Sequence, residues 1–218
     1  MKNLVIIPSV IRPINKKLCY TDNNHPKDFP RSQFSPVERF EQMKETIKSV
    51  KQNIPNNYIV ILECSNNIDN YEQYLKDNTD LYINYYDNLD IREKVEGLYK
   101  GWGEIYTMYK FLCSIDLSIY NMIIKVSGRY RINGNFNFKN FLRDDNVSSG
   151  CNVSINTTLF KIDKKNYKNF LDNILPMKDE LLEGKCLEGI LPKYNNFLRM
   201  NPIGIEGKMG PCGRRVNQ

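Results

Sequence analysis

Four short apolar runs, separated by stretches long enough for a helix, constrain the fold of this chain more than any other feature. They are Leu4-Val5-Ile6-Ile7, Tyr58-Ile59-Val60-Ile61-Leu62, Leu81-Tyr82-Ile83-Asn84-Tyr85 and the segment from Tyr120 to Val126. Continuous apolar runs of this length, rich in β-branched residues, read as strands buried on both faces. Ser35-Pro36-Val37-Glu38 marks a helix start between the first two. Ser35 can cap, Pro36 suits the first helical position, and Glu38 completes a capping box. Val37, Phe40, Met43, Ile47 and Val50 then recur at helical spacing. A short helix is expected over Asn70 to Lys76. A stronger one opens at Gly101-Trp102-Gly103-Glu104, with Ile105, Met108, Tyr109, Leu112 and Ile115 as its apolar stripe. This alternation predicts an α/β fold with a mainly parallel central sheet flanked by helices and right-handed crossovers.

The second half has a different pattern. Asn152 to Ile162 alternates as a strand, and Asp163 can cap a helix carrying Tyr167, Phe170, Leu171 and Ile174. Asp179 to Leu191 reads as one further amphipathic helix, and Phe197 to Ile205 as a last strand before a glycine-rich tail. No linker or repeat interrupts the chain. Residues 1–218 are therefore expected to form a single domain, in which 1–130 bind a nucleotide and 131–218 complete the cleft.

Composition narrows the partners. The chain has 218 residues, with 31 Lys plus Arg against 25 Asp plus Glu, a net charge of +6. That mild excess favours an anionic ligand, but no dense basic run tracks a nucleic acid, so none is expected as partner. No apolar run is long enough to span a bilayer. The strand-like run follows directly on Met1-Lys2-Asn3, so no signal peptide is expected. The cysteines at 19, 64, 113, 151, 186 and 212 form no CxxC pair. They are expected to be reduced thiols in a cytoplasmic compartment. His25, the only histidine, lies in a long polar loop, which disfavours a histidine-based triad.

In a parallel sheet, ligands gather at the carboxyl ends of the strands. Those ends are Pro8-Ser9, Glu63-Cys64-Ser65, the Asp87 to Asp90 region, and Ser127-Gly128-Arg129. Arg12, close behind the first strand, can hold an anionic group. The Glu63 carboxylate can accept hydrogen bonds from a base or ribose, with Ser65 beside it. Lys100 adds charge at a helix start where Gly101 and Gly103 allow close backbone approach to a phosphate. Neither a Walker A nor a G-x-G-x-x-G motif is present. An unpaired buried Lys125 would be costly, so Lys125 and Arg129 either face a cleft or pair with carboxylates. Gly128 permits close approach of a ligand. Glu188, with Glu183 and Glu180 as rivals, is placed to act as a general base from the second half.

With these segments in order, the chain resembles a GT-A nucleotide-sugar glycosyltransferase. The likeness rests on Pro8-Ser9, Ile61-Leu62-Glu63-Cys64-Ser65, Gly101-x-Gly103-Glu104 and Ile124-Lys125-Val126-Ser127-Gly128-Arg129-Tyr130. More narrowly it is similar to small viral and bacterial enzymes with an SGRY segment, among them the chlorella virus domain that glycosylates the capsid protein. The stretch from Arg31 to Ser49 and Gly204-Ile205-Glu206-Gly207 add to it. The resemblance implies transfer of a hexose from a nucleoside-diphosphate donor, UDP by preference, to a glycan or glycoprotein acceptor. If viral, the chain would work in the host cytoplasm. The resemblance assigns Pro8, Ser9, Arg12, Glu63 and Ser65 to the nucleoside and Lys100, Gly101 and Gly103 to the diphosphate. It puts Ser127-Gly128-Arg129 where the family keeps an Asp-x-Asp metal motif, and Glu188 at the acceptor-side carboxylate. Either Arg129 and Lys125 neutralise the diphosphate, or manganese or magnesium is held by carboxylates elsewhere, such as Asp87 or Asp90. A sugar-phosphate nucleotidyltransferase is the alternative enzyme. Its glycine-rich loop after the first strand is missing from Pro8-Ser9-Val10-Ile11-Arg12. A non-catalytic nucleotide-binding module is the third reading.

Overall fold

The structure is a computed structural model, and it describes residues 1–14, 17–18, 29–151, 153–209 and 213–218. The strands are β1 (Lys2–Ser9), β2 (Lys17–Leu18), β3 (Phe29–Pro30), β4 (Asn57–Glu63), β5 (Leu81–Asn84), β6 (Tyr120–Val126), β7 (Tyr130–Ile132), β8 (Val147–Cys151), β9 (Ser154–Asp163), β10 (Leu198–Arg199), β11 (Ile205–Lys208) and β12 (Arg215–Asn217). The helices are α1 (Pro36–Asn53), α2 (Asp69–Asn78), α3 (Leu89–Glu96), α4 (Lys100–Leu112), α5 (Tyr167–Ile174), α6 (Lys178–Leu182) and α7 (Leu187–Tyr194).

A seven-stranded sheet runs in the order β10-β8-β9-β6-β1-β4-β5. β6, β1, β4 and β5 are mutually parallel, as the apolar runs predict. The second half extends this core with antiparallel pairing, β9 against β6 and β8 against β9, so the sheet is mixed. β7, β11 and β12 form a second, smaller sheet.

β1 is central, and Leu4, Val5, Ile6 and Ile7 are all fully buried. Successive side chains point to opposite faces, so the strand feeds two cores. Leu4 and Ile6, with Val60 and Leu62, pack against Trp102, Ile105 and Met108 of α4 and against Phe160, Phe170 and Leu187. Val5 and Ile7, with Ile59 and Ile61, pack against Met43, Ile47 and Val50 of α1. α1 begins as its sequence requires: Ser35 Oγ accepts from the Glu38 N–H, and the Glu38 carboxylate accepts from the Ser35 N–H at 2.8 Å.

Three expectations are corrected. Asp179 to Leu191 is two helices, α6 and α7, because Gly184 between them takes a φ of +87°, outside the helical range. Phe197 to Ile205 is two short strands, β10 and β11, in different sheets. Pro202 lies between them and has no N–H to give to a ladder. Asp87 to Asp90 does not end a strand at the cleft. It leads into α3, where exposed Asp90 binds Lys94 Nζ at 2.7 Å and accepts from Tyr106 Oη at 2.6 Å.

α3 and α4 pack closely through Gly103. A Cβ built there would lie 2.5 Å from the Lys94 carbonyl oxygen and 2.7 Å from the Val95 Cα. These are backbone atoms, which cannot turn aside. Gly103→Ala is expected to cost about 1–3 kcal/mol through overpacking, measured as the change in urea unfolding free energy.

Candidate active site

Three of the four parallel strand tips meet at one hollow. Its lining includes Pro8 and Ser9 at the end of β1, Leu62 and Cys64 at the end of β4, and Arg129 beyond β6. Lys100, Gly103, Glu104 and Thr107 of α4 form another wall, and Arg31 and Arg39 a further one. The hollow is open on one side and spans about 610 Å³, open solvent included. A second hollow adjoins it and shares Lys100 and Glu104. Tyr99, Gly101, Thr157, Cys186, Leu187 and Glu188 also line it.

The first hollow carries four cations, Arg31, Arg39, Lys100 and Arg129, against the single carboxylate of Glu104. Arg39 rises from α1 and is buried, with Nε donating to the Val10 carbonyl at 2.6 Å and Nη1 to Ser32 Oγ at 3.1 Å. Burial, with Arg129 and Arg31 close by, pulls its guanidinium down to about 9. Arg31 is also buried, and its Nη2 donates to the Gly97 carbonyl at 2.8 Å. Burial and Arg129 lower the Lys100 ammonium to about 8, although Glu104 and Glu188 act the other way. Arg129 Nε is buried with no hydrogen-bond partner.

Glu104 is the counterweight. Burial alone would raise its carboxyl, but Lys125, Lys100 and Arg129 outweigh burial and hold it at about 2. Its direct partner is Lys125 of β6. The Lys125 ammonium also donates to the Thr157 carbonyl and to Ser127 Oγ at 2.7 Å. Lys125 is fully buried and lines neither hollow, so its expected contact with the ligand is corrected. Of the two arrangements open to it from sequence, it takes the ion pair, and it acts by fixing Glu104 and Thr157.

The other expected residues divide in the same way. Glu63 is fully buried, and its Oε1 accepts from the Ile11 N–H at 3.0 Å, the Cys64 N–H at 3.1 Å and Ser65 Oγ at 2.5 Å. Ser65 Oγ in turn accepts from the Arg12 N–H at 3.0 Å. Glu63 and Ser65 thus hold the loop after β1 and do not line the hollow. The Arg12 side chain is exposed and faces a separate surface depression with Ser32 and Phe34. Cys64 lines the hollow, but burial and the neighbouring Glu63 carboxylate push its thiol up to about 12, so it stays protonated.

Gly101 and Gly128 are also tightly packed. A Cβ on Gly101 would press on Leu187 Cβ at 3.1 Å, and one on Gly128 would lie 2.3 Å from Met43 Cε. Gly128, with Pro8, Ser9, Arg39 and Arg129, also lines a small side chamber. Ser127 is held by Lys125. Glu188 stands in the first turn of α7, half-buried, and accepts from Thr157 Oγ1 at 2.7 Å. Glu180 is tied to Lys193 at 2.6 Å and Lys185 at 3.1 Å, and Glu183 to Lys185 at 2.9 Å. Neither rival lines a hollow with Glu188. Cys64, Cys113, Cys151 and Cys186 form no disulfide among the described residues; Cys19, Cys212 and His25 lie outside them.

Arg31, Arg39, Glu104 and Thr157 are site residues that the sequence reading did not assign. Arg39 had a legible signal: it sits on the same buried helical face as Met43, Thr46, Ile47 and Val50, where an arginine needs a reason.

The residues at the β6 tip do not suit a hard cation, which takes oxygen ligands, chiefly carboxylates. Ser127 and Arg129 stand there, and Glu104 is occupied by Lys125. Among the described residues, no three His, Cys, Asp or Glu side chains come together to hold a metal. No described helix is long and apolar enough to cross a membrane.

No family model and no curated protein matches the sequence. Solved structures do match in fold. The galactosyltransferase LgtC, in complex with donor and acceptor sugar analogs, aligns with a TM-score of 0.52 at 9% identity, over 97% of this chain and 88% of that one. The glycosyltransferase GlyE of Streptococcus pneumoniae aligns with a TM-score of 0.51 at 11% identity, over 92% of this chain. The chain spans 45% of GlyE's length. CTP:phosphocholine cytidylyltransferase of Streptococcus pneumoniae aligns more loosely, with a TM-score of 0.46 at 11% identity, over 95% of this chain and 93% of that one. The fold is that of the GT-A glycosyltransferases.

Removing Glu104 would leave Lys125 charged and buried. Glu104→Gln is expected to cost about 3–5 kcal/mol in chemical denaturation, and adding Lys125→Met should recover most of it. The Glu104 carboxyl is lowered on folding, so its contribution is complete above the ordinary 4.5 and disappears as pH falls toward about 2. The wild type should therefore lose more stability than the double variant across that window.

Proposed function

We propose that the chain is a nucleotide-sugar-dependent glycosyltransferase that moves a hexose from a UDP-type donor to a glycan or glycoprotein acceptor. The observation that carries this reading is the pair of adjoining hollows. One is cationic at the parallel strand tips, the other holds an available carboxylate, and they share Lys100 and Glu104. Residues of 1–130 make up the whole described lining of the first, and Thr157 to Glu188 complete the second. This supports a division into a nucleotide half, 1–130, and an acceptor half, 131–218. Ser127-Gly128-Arg129-Tyr130 supports a place beside the small viral and bacterial SGRY enzymes; if the chain is viral, its compartment is the host cytoplasm.

On this reading Lys100 and Arg129 face the diphosphate, which gains negative charge as the sugar departs. Fixed cations stabilise that charge without reorganising during the reaction. Pro8, Ser9 and Cys64 border the nucleoside. Glu188 is the general base of choice because Glu104 is locked in its ion pair. Thr157 orients it. In an inverting transfer Glu188 takes the acceptor hydroxyl proton as the new C1–O bond forms. In a retaining transfer it orients the donor instead.

Incubation with a panel of nucleotide sugars should release free sugar and nucleoside diphosphate slowly, and faster when a sugar acceptor is added. Pyrophosphate-dependent formation of a nucleoside triphosphate would instead establish a nucleotidyltransferase. Binding with no turnover would establish a non-catalytic module. Glu188→Gln is expected to lower turnover about 10²–10⁴-fold with donor affinity nearly unchanged. Unchanged turnover would remove Glu188 from the mechanism.

Lys100 adds a pH signature. It is cationic below about 8 and neutral above, so nucleoside diphosphate affinity should fall by up to about tenfold between pH 7 and 9. Lys100→Arg should move that dependence to higher pH, because a guanidinium starts from a higher ordinary value than an ammonium.

A further inference from the structure

The cationic hollow has an unusual imbalance. Among the described residues, Arg39, Lys100 and Arg129 form no ion pair. The only carboxylate lining the same hollow is engaged by Lys125 from beneath. Like charges held together in a part-buried site repel, and removing them from water is costly. Burial lowers both Arg39 and Lys100, and Arg129 lowers each of them further, so these cations act on one another. An anion between them would relieve the repulsion.

Arg31 and Arg39 are also fixed in place. Arg39 is pinned by the Val10 carbonyl and Ser32, and Arg31 by the Gly97 carbonyl. Arg129 follows a tight turn in which its N–H donates to the Ser127 carbonyl at 2.8 Å. Guanidinium forks suit phosphate oxygens geometrically, and pinning them lowers the entropy lost on binding.

We propose that these side-chain cations, Arg39, Lys100 and Arg129 with Arg31, do the work of a divalent cation on the diphosphate, so that the donor binds without metal. The proposal rests on the nucleotide-sugar reading of the hollow. It adds Arg31 and Arg39 to the binding residues and removes the need for carboxylate ligands at the β6 tip. At the β6 tip Ser127 and Arg129 offer no carboxylate to a metal, and the Arg129 cation faces the hollow instead.

Titration calorimetry tests it with two probes, a panel of nucleoside diphosphates and inorganic pyrophosphate, each in excess EDTA and in millimolar manganese. In EDTA, at least one nucleoside diphosphate and pyrophosphate are expected to bind, with Kd within about threefold of the manganese value. Arg129→Met and Lys100→Met, checked for native circular dichroism, should each weaken binding in EDTA about 10–100-fold. Two variants are used so that one poorly folded protein does not decide the matter. Nucleotide binding that appears only with manganese would overturn the proposal and leave the glycosyltransferase reading intact. Metal-free binding of pyrophosphate with no nucleoside diphosphate bound would keep the cation site and overturn the nucleotide-sugar reading. Wild-type affinity in both variants, or no binding of either probe under either condition, would overturn the proposal.

Discussion

The buried pair of Lys125 and Glu104 is the contact on which the rest of the site depends. It joins β6 to the first turns of α4, and through the Thr157 carbonyl it reaches β9. α4 lines both hollows, and Thr157 of β9 lines the second. A buried ion pair adds little net stability, because desolvation offsets the attraction. Its value here is positional. It fixes a carboxylate between the two hollows and keeps that carboxylate ionised.

The parallel core was legible because its strands are short, continuous and apolar. Tyr120 to Val126 emerged with the expected limits, and the Ser35 capping box formed as its residues require. Elements that lack such signals were missed. α3 is a brief helix with Leu89 and Asp90 exposed and Ile91 as its one buried residue, so it leaves no stripe. β7, β10 and β12 have two or three residues each, and only the sheets they complete define them. Gly184 lies inside the segment read as one amphipathic helix, yet its left-handed conformation breaks that helix in two.

The candidate site was legible at the level of strand tips and less so at the level of side chains. Arg129, Lys100 and Glu188 are near the hollows because chain topology puts them there. Whether Lys125 meets ligand or carboxylate depends on Glu104, a partner on another element, which one-dimensional spacing does not reveal. The glycines invited a phosphate-binding reading, and Gly101, Gly103 and Gly128 also lie tight against Leu187, the α3 backbone and Met43. A missing Cβ shows that something comes close, and only the fold shows what it is.

The fastening of the loop after β1 has a consequence for how this chain can change over time. Glu63 and Ser65 grip the main-chain N–H groups of Ile11 and Arg12 and make no use there of the side chain at position 12. Every residue except proline supplies the same N–H. Position 12 can therefore drift almost freely while the mouth of the hollow keeps its shape, whereas Glu63, which touches no open surface, is the position that drift would punish.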